Sequence, residues 1–534
     1  MSREDCERWA FSESGPWRLT SGSIQWLDGL EEERAAAHRE IPELTRPRWL
    51  PPVSRFGQAF GRVGGALAGW WITDRRRGEA VSSQGLSRRL REAFEQLGSS
   101  YIKLGQIVSS GRGLFPDELV EEFKRCRDQV PPEDFEVVRT VVEAELGHSL
   151  EEIFESFDRQ CLASASIAQV HRATLRTGEE VVVKVQRPQV AERVRLDIAA
   201  MAWIAPKLVG RIPVAALANP PALVELFAET ILEELDFRLE GQNMLDIAEV
   251  LREAGQTAIV VPRPHPELVT RRVLVMERLT GFSYDDVRGM QGAGIDTEEV
   301  LRSMMISFLE GAMIYGVFHG DLHGGNLFVM EDGRVALLDY GMTARMGEIQ
   351  RKAFLRMMMS GAANDVRGQL EAFRELGALD PDADLDALVS LLKLDQPVRD
   401  PTKMSGEEIA AEITTVLKGL MKQGARLPKP LMLYAKGMLF FDGAVAELAP
   451  DLDMFAEVSR IYLYFATHHA ETIAAQIGIN PRENELDLTG MKAGLGLEAD
   501  AESLTHRELQ ARRKEIQEKV EESGAGLPGL DLGS

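Results

Sequence analysis

Cysteine is nearly missing from this chain: Cys6, Cys126 and Cys161 are the only three in 534 residues. So few, so far apart, they form neither a disulfide framework nor metal-type pairs, and they fit a reducing compartment. Long apolar runs are missing too. With no stretch of about 18 consecutive apolar residues, a spanning helix is not expected. The first 40 residues carry too many acids for a transit peptide and do not read as a secretory signal. Basic residues are outnumbered, 61 against 84 acidic, for a net charge of −23. Such a surface excludes general nucleic-acid binding. These absences together point to a cytoplasmic protein.

What is present is concentrated in one stretch. Val317-Phe318-His319-Gly320-Asp321-Leu322-His323-Gly324-Gly325-Asn326 follows an apolar helical pattern, and Leu337-Leu338-Asp339-Tyr340-Gly341 follows it after a short Val-Ala-Leu-Leu strand. Phosphoryl transfer needs one carboxylate to orient the attacking oxygen, and an Asn and an Asp to hold the metal that neutralises the nucleotide phosphates. A hairpin tip with chance polar residues would not need two Asp, two His, an Asn and several Gly between apolar strands. The stretch reads as a kinase-type active site.

The remaining apparatus should lie upstream. Ala173-Thr174-Leu175, a turn at Thr177-Gly178 and Val181–Gln186 predict a β-hairpin. Alternation puts Val181, Val183 and Val185 on one face and Lys184 on the other. An unpaired ammonium on a valine strand is costly if buried, whereas a nucleotide-binding lysine has a use there. Its partner is expected on a helix within residues 223–254, where Glu233, Asp236, Glu240 and Asn243 share one stripe. Periodicity alone does not choose among these acids, and a solvated face accounts for the stripe equally well. No Gly-x-Gly-x-x-Gly precedes the lysine strand. The Ala-rich segment Leu162–His171 stands in its place, and its extra Cβ atoms limit how closely backbone amides approach a phosphate.

These features resemble the UbiB/AarF/ADCK family of atypical, protein-kinase-like (ABC-one-type) proteins. The resemblance is carried by Ala163–His171, by Lys103-Leu104-Gly105-Gln106 as a Lys-x-Gly-Gln motif, by Glu234-Leu235-Asp236 as a Glu-x-Asp motif, and by His319–Asn326 with Asp339-Tyr340-Gly341. It spans about residues 86–478. It implies an α+β, bilobal kinase-like fold with a small β-rich lobe, a mainly helical lobe and an N-terminal helical extension over the site. It implies ATP or ADP with Mg2+ as ligands. By position, Lys184 would pair with Glu240; Asp321 would be the catalytic-loop acid; Asn326 and Asp339 would hold the metal. Ala163, Ser164, Ala165, Ser166, Ile167, Ala168, Gln169 and Glu277 would line the nucleotide site, and Lys103, Gln106, Glu234 and Asp236 would regulate access to it. Because the extension occupies the place of a peptide substrate, the resemblance favours ATPase or small-molecule transfer over protein phosphorylation. Leu322 and Gly324 stand where the family commonly has Pro, and Tyr340 where it has Phe; none of these removes a ligand.

The chain divides accordingly into a Trp-containing N-terminal region (1–80), the Lys-x-Gly-Gln extension (81–160), a small lobe (161–280), a large lobe (281–480) and an acidic tail (481–534), read as mobile, with a helical patch near Leu504–Glu522. Within 56–77, a Gly-rich apolar patch ends in Trp70-Trp71 and Arg75-Arg76-Arg77. It reads either as a peripheral membrane contact or as a helix docked on the core. Leu86, Leu90, Phe94 and Leu97 predict a helix stopped by Gly98, and Ser149 with Glu152 a capping box. Leu427-Pro428-Lys429-Pro430 marks a turn, and no Ala-Pro-Glu follows Gly341, so no phosphorylated activation segment is expected. Three activities fit: a UbiB-like ATPase supporting isoprenoid-quinone or lipid metabolism, a small-molecule kinase of the aminoglycoside or choline type, or a nucleotide-binding scaffold. The second lacks the Lys-x-Gly-Gln extension and the Ala-rich loop; the third would tolerate loss of Lys184, Asp321, Asn326 or Asp339, all of which are present.

Overall fold

The computed structural model describes residues 10–12, 15–17, 19, 24–46, 53–74, 79–109, 117–125, 131–208, 220–392, 400–422, 425 and 428–522. Cys6, Cys126 and the Arg75–Arg77 cluster lie outside the described residues.

The small lobe is an antiparallel sheet with spatial order Phe154–Phe157, Ala168–Leu175, Glu180–Gln186, Val273–Glu277 and Pro264–Val269; the two-residue strand Ala163–Ser164 pairs with Ala168–Leu175. The turn between the second and third strands is made by Gly178 at φ 98°, a conformation that costs a side chain energy. The strand bearing Lys184 is central, with Lys184 opposite Val170 on one side and Leu274 on the other. Its Val181, Val183 and Val185 are fully buried against Val138, Val141 and Val142 of the helix Phe135–Leu146. That burial leaves Lys184 on the opposite face, toward the cleft. The expected alternation holds.

Two predicted caps are present. The helix Glu79–Leu97 ends at Gly98, whose φ is 96°. Ser149 and Glu152 form the capping box of the short helix Leu150–Ile153. The single helix expected across 223–254 is instead two, Pro220–Glu233 and Phe237–Ala254. The first ends at Glu233, and Asp236 caps the second, its side chain accepting from the Arg238 amide. An N-cap residue adopts a non-helical conformation, so the stripe of Glu233, Asp236, Glu240 and Asn243 is broken in the middle.

Residues 278–281 lead into the large lobe, where Phe282–Ser283, Leu327–Val329, Val335–Leu337 and Ile259–Val260 form a four-stranded sheet. A second ribbon pairs Val317–His319 with Thr343–Arg345, and helices from Thr297–Glu310 onward pack around it. One apolar core runs from Leu97, Tyr101 and Leu104 of the extension through Phe227 and Leu239 to Phe318, Phe354 and Phe441. The extension therefore shares its core with both lobes. The predicted turn at 427–430 is the start of the helix Lys429–Leu448, with Pro430 in its first turn, where a missing N–H is harmless.

The helix Val53–Thr73 packs on Glu79–Leu97, and the Trp70 indole donates to the Ser82 hydroxyl. Its last turn still leaves Trp71 and Ile72 exposed. The tail departs most from expectation. The helix His506–Glu522 docks on the large lobe: Arg513 and Gln510 bond Asp442, and Ile516 and Val520 are buried against Met404 and Ile409. An apolar stripe was hidden within an acidic, hydrophilic segment. Ile516→Ala should therefore destabilise the protein by about 2–4 kcal/mol, the range for emptying a buried isoleucine site; a melting temperature unchanged from wild type would mean that the tail does not dock.

Candidate active site

Lys184 is held from two sides. Its ammonium donates to both oxygens of Glu240, at 2.7 and 2.9 Å, and to Asp339 Oδ1 at 3.1 Å. Glu240 lies in the first turn of the helix Phe237–Ala254, so its position depends on the break at Asp236. It also accepts from the Tyr340 amide, and Asn243, one turn on, donates to the Tyr340 carbonyl at 2.8 Å. One helix face thus grips both the nucleotide-type lysine and the Asp339-Tyr340-Gly341 backbone.

Burial opposes the charge on Lys184, but Asp339 and Glu240 more than offset it and hold the ammonium above the usual lysine range. Burial likewise works upward on Asp339, and the charges of Lys184 and Lys103 overcome it, bringing the carboxyl down to about 2. The Asp339 side chain stays nearly half exposed, at 47%, so it is open to the cleft. Its backbone is left-handed, φ 55°, an uncommon state for a residue with a side chain. Such conformations persist where surrounding contacts over-determine them, and they cluster at functional sites.

The loop from His319 to Asn326 is set by one neutral imidazole. His319 is buried, which lowers its pKa. Its Nε2 contacts the carbonyls of Asp339 and Leu338, and its Nδ1 accepts from the Asp321 amide. Only the tautomer protonated on Nε2 satisfies both ends. Asn326 donates from Nδ2 to the Asp321 carbonyl, so its amide oxygen is the atom that could take a metal, and the Leu338 amide bonds the Asn326 carbonyl. Asn326 and Asp339 are thereby tied to adjoining strands. Asp321 accepts from Lys436 at 2.5 Å. Burial would raise its pKa; Lys436 and Lys103 hold it far below the carboxylate range.

The helix Ser99–Ser109 covers the cleft. It is anchored by Ser100, which donates to Asp197, and by buried Ile102, Leu104 and Ile107. Lys103 meets Glu234 at 2.9 Å. Glu234 in turn lies against Gly341, where an added Cβ would come within 3.5 Å of its Cγ. Asp236 does not join this pair: it caps its helix and bonds Arg238. Gln106 sits one turn after Lys103 on the same helix.

The Ala-rich segment is a tight hairpin whose tip, Ala165–Ile167, is closed by the Ala165 amide donating to the Ala168 carbonyl. Three residues assigned there have protein partners instead. Gln169 accepts from the Glu133 amide and contacts His171; the Ser164 hydroxyl accepts from Arg187; the Glu277 carboxylate accepts from the Ser12 hydroxyl and the Arg263 amide. The Glu277 carboxylate is therefore turned to the N-terminal segment. Sequence reasoning missed Arg187, which ties the hairpin to Glu133 and Pro131, and Lys436. A lysine within the apolar helix Lys429–Leu448 was the available signal for the second.

Two outcomes test this geometry. Lys103→Met and Glu234→Gln should each destabilise by about 3–5 kcal/mol, since each strands a buried charge; the double variant should recover much of that, and strict additivity in melting experiments would exclude the pair. Tyr340 is fully buried, its ring edge-on to His319, and among the described residues its hydroxyl has no hydrogen-bond partner. Tyr340→Phe should therefore match or exceed wild-type stability, by up to about 1 kcal/mol; a marked loss would reveal a partner for the hydroxyl.

Comparison with known proteins accords with this arrangement. Residues 125–373 match the ABC1 atypical kinase-like domain. An uncharacterized protein of Mycobacterium tuberculosis is 32% identical over 82% of this chain and 89% of its own. A chloroplastic aarF domain-containing protein kinase of Arabidopsis thaliana is 30% identical over 77% of this chain and 82% of its own. A probable protein kinase UbiB of Shewanella loihica is 31% identical over 72% and 70% respectively. With this fold, these motifs and relatives that align along most of both chains, the protein belongs to the ABC1 atypical kinase-like family, alongside UbiB and the aarF domain-containing kinases.

Proposed function

We propose that the cleft binds Mg2+ and ATP and transfers the terminal phosphoryl group to water or a small hydroxyl compound, as an atypical kinase or ATPase. The observation that carries this is the double engagement of Lys184 by Glu240 and Asp339. Glu240 and Asp339 fix the ammonium at the cleft, where it would reach the α- and β-phosphates of a nucleotide.

The donor set suits magnesium. Asn326 and Asp339 offer hard oxygens, few in number, and among the described residues no cluster of three or more acidic, His or Cys side chains could hold a metal alone. Mg2+ is commonly bound by one or two carboxylates together with substrate phosphates. When bound it would neutralise charge on the phosphate oxygens. Lys184 would position the inner phosphates, and Asp321 would orient the attacking oxygen. Gln169 and Glu277 are engaged by Glu133, Ser12 and Arg263, and backbone at the hairpin tip stays in the nucleotide-binding reading.

The Ser99–Ser109 helix supports a closed site. It brings Lys103 to Glu234, beside Gly341. A small acceptor or water fits that enclosure better, and a role in isoprenoid-quinone or other lipid metabolism follows from the similarity to UbiB. The exposed Trp71–Ile72 end of the helix Val53–Thr73 favours peripheral contact with a membrane or with lipid and quinone precursors.

Asp339→Asn tests the reading. In wild-type protein, ATP with Mg2+ at about 100 times its Kd should stabilise by about 2.7 kcal/mol. The variant should fold and lose the Mg2+-dependent part of that shift. An unchanged Mg2+-dependent shift would place the metal elsewhere.

A further inference from the structure

The helix Lys429–Leu448 carries two lysines, Lys429 and Lys436, seven residues apart and thus on one face. Both reach the rim of the cleft: Lys429 bonds Glu233 at 2.7 Å, and Lys436 bonds Asp321 at 2.5 Å. Between them, buried Leu433 presses on the catalytic loop, where a Cβ at Gly320 would meet its Cδ1 at 2.9 Å. On the far side Gly437 lets the Phe308 ring approach so closely that a Cβ there would stand 2.4 Å from it. The helix is wedged between the Thr297–Glu310 helix and the loop. Lys436 therefore has little freedom to leave the site.

Its surroundings argue against a solvated lysine. Lys436 is only 19% exposed, with Leu433, Gly437 and Phe441 buried around it. An ammonium placed there costs solvation and needs a reason. Neutralising Asp321 is one, yet the charge of Lys103 also acts on that carboxylate. The positions of the other cations supply a second reason. Neither the loop His319–Asn326 nor the hairpin tip Ala165–Ile167 contains a lysine or arginine. Lys184 serves the inner phosphates in the reading above, and Lys103 lies against Glu234. Phosphoryl transfer spreads negative charge over the transferred group, and a fixed cation at that end stabilises it.

We propose that Lys436 is the terminal-phosphate residue of this site: it shares its protons between Asp321 and the γ-phosphate of a nucleoside triphosphate, and so makes the cleft prefer triphosphate to diphosphate. The inference rests on the nucleotide reading given above. In the transfer, the bond from the γ-phosphorus to the leaving diphosphate oxygen breaks and a bond to the acceptor oxygen of water or an alcohol forms. The acceptor proton leaves through Asp321, the diphosphate departs as ADP, and Lys436 makes and breaks only hydrogen bonds. The residue arrives 115 positions after Asp321 in the chain, which is why no local motif contains it.

The test compares Lys436→Ala, Lys436→Met and Lys436→Arg in the full chain, with Lys429→Ala as a control on the same helix. Calorimetry gives affinities for ATP and ADP with Mg2+, and phosphate release gives kcat and KM. Loss of one charge-assisted hydrogen bond should weaken ATP about tenfold, with ADP within about twofold. It should lower kcat more than it raises KM, and Lys436→Arg should restore ATP preference. Lys429→Ala should leave the ATP/ADP ratio unchanged. Lys436→Met keeps the apolar stem, so a folded protein is available if the Ala variant collapses. Equal weakening of ATP and ADP, or an Arg variant no better than Met, would overturn the proposal and leave Lys436 a structural counter-ion. If wild-type protein binds neither nucleotide, the nucleotide reading itself falls, and Lys436 with it.

Discussion

The constraint on which the cleft depends is charge pairing out of water. Three ammonium groups enter from three parts of the chain, and each meets a carboxylate that would otherwise be stranded: Lys184 with Glu240 and Asp339, Lys103 with Glu234, and Lys436 with Asp321. Isolated charges at such depth are costly, and pairs are tolerated only when their geometry is good and spare hydrogen-bonding capacity is used. That requirement explains why distant segments must converge. The central strand, the covering helix and the helix Lys429–Leu448 are separately held by apolar contacts, but their polar tips fit only together.

The pairing also links cover to chemistry. Glu234 lies against Gly341, and Glu240 holds the Tyr340 amide, so both acids beside the helix break touch the segment that carries Asp339. A ligand that draws Lys184 or Asp339 away from its present partner alters the field at Glu234 and hence at Lys103. The charge of Asp339 already acts on both lysines. In the proposed function, nucleotide binding at Lys184 and Asp339 would thereby act electrostatically on the Ser99–Ser109 helix.

How much of this was legible in the sequence varied with the distance over which information had to travel. Lys184, Asp321, Asn326 and Asp339 stand in local motifs whose chemistry is readable, Glu240 was singled out only through the family resemblance, and the structure brings all five together around one cleft. The valine alternation gave the strand and its faces. The break at Asp236 was not readable from periodicity, because a capping aspartate on an amphipathic stripe looks like any exposed acid; the Glu-x-Asp spacing pointed to Glu234 against the stripe's Glu233, and the broken helix reconciles them. Glu233 instead serves Lys429 and Arg34. Gln169 and Glu277 were assigned through the family resemblance, and their hydrogen-bond partners Glu133, Ser12 and Arg263 come from segments that no local pattern joins to them. The helix over His506–Glu522 was legible but its docking was masked by its charge, since among its described residues the buried apolar stripe is Leu509, Ile516 and Val520.

The central claim is that Asn326 and Asp339 hold a divalent ion against nucleotide phosphates while Lys184 faces the inner phosphates. The most direct measurement is a crystal structure with Mn2+ and a non-hydrolysable ATP analogue, with the ion located by its anomalous scattering. The account predicts one manganese peak bridging the Asn326 amide oxygen, an Asp339 carboxylate oxygen and the analogue's phosphates, with Lys184 still bonded to Glu240. A nucleotide bound outside this cleft, or a metal ligated by neither Asn326 nor Asp339, would contradict it.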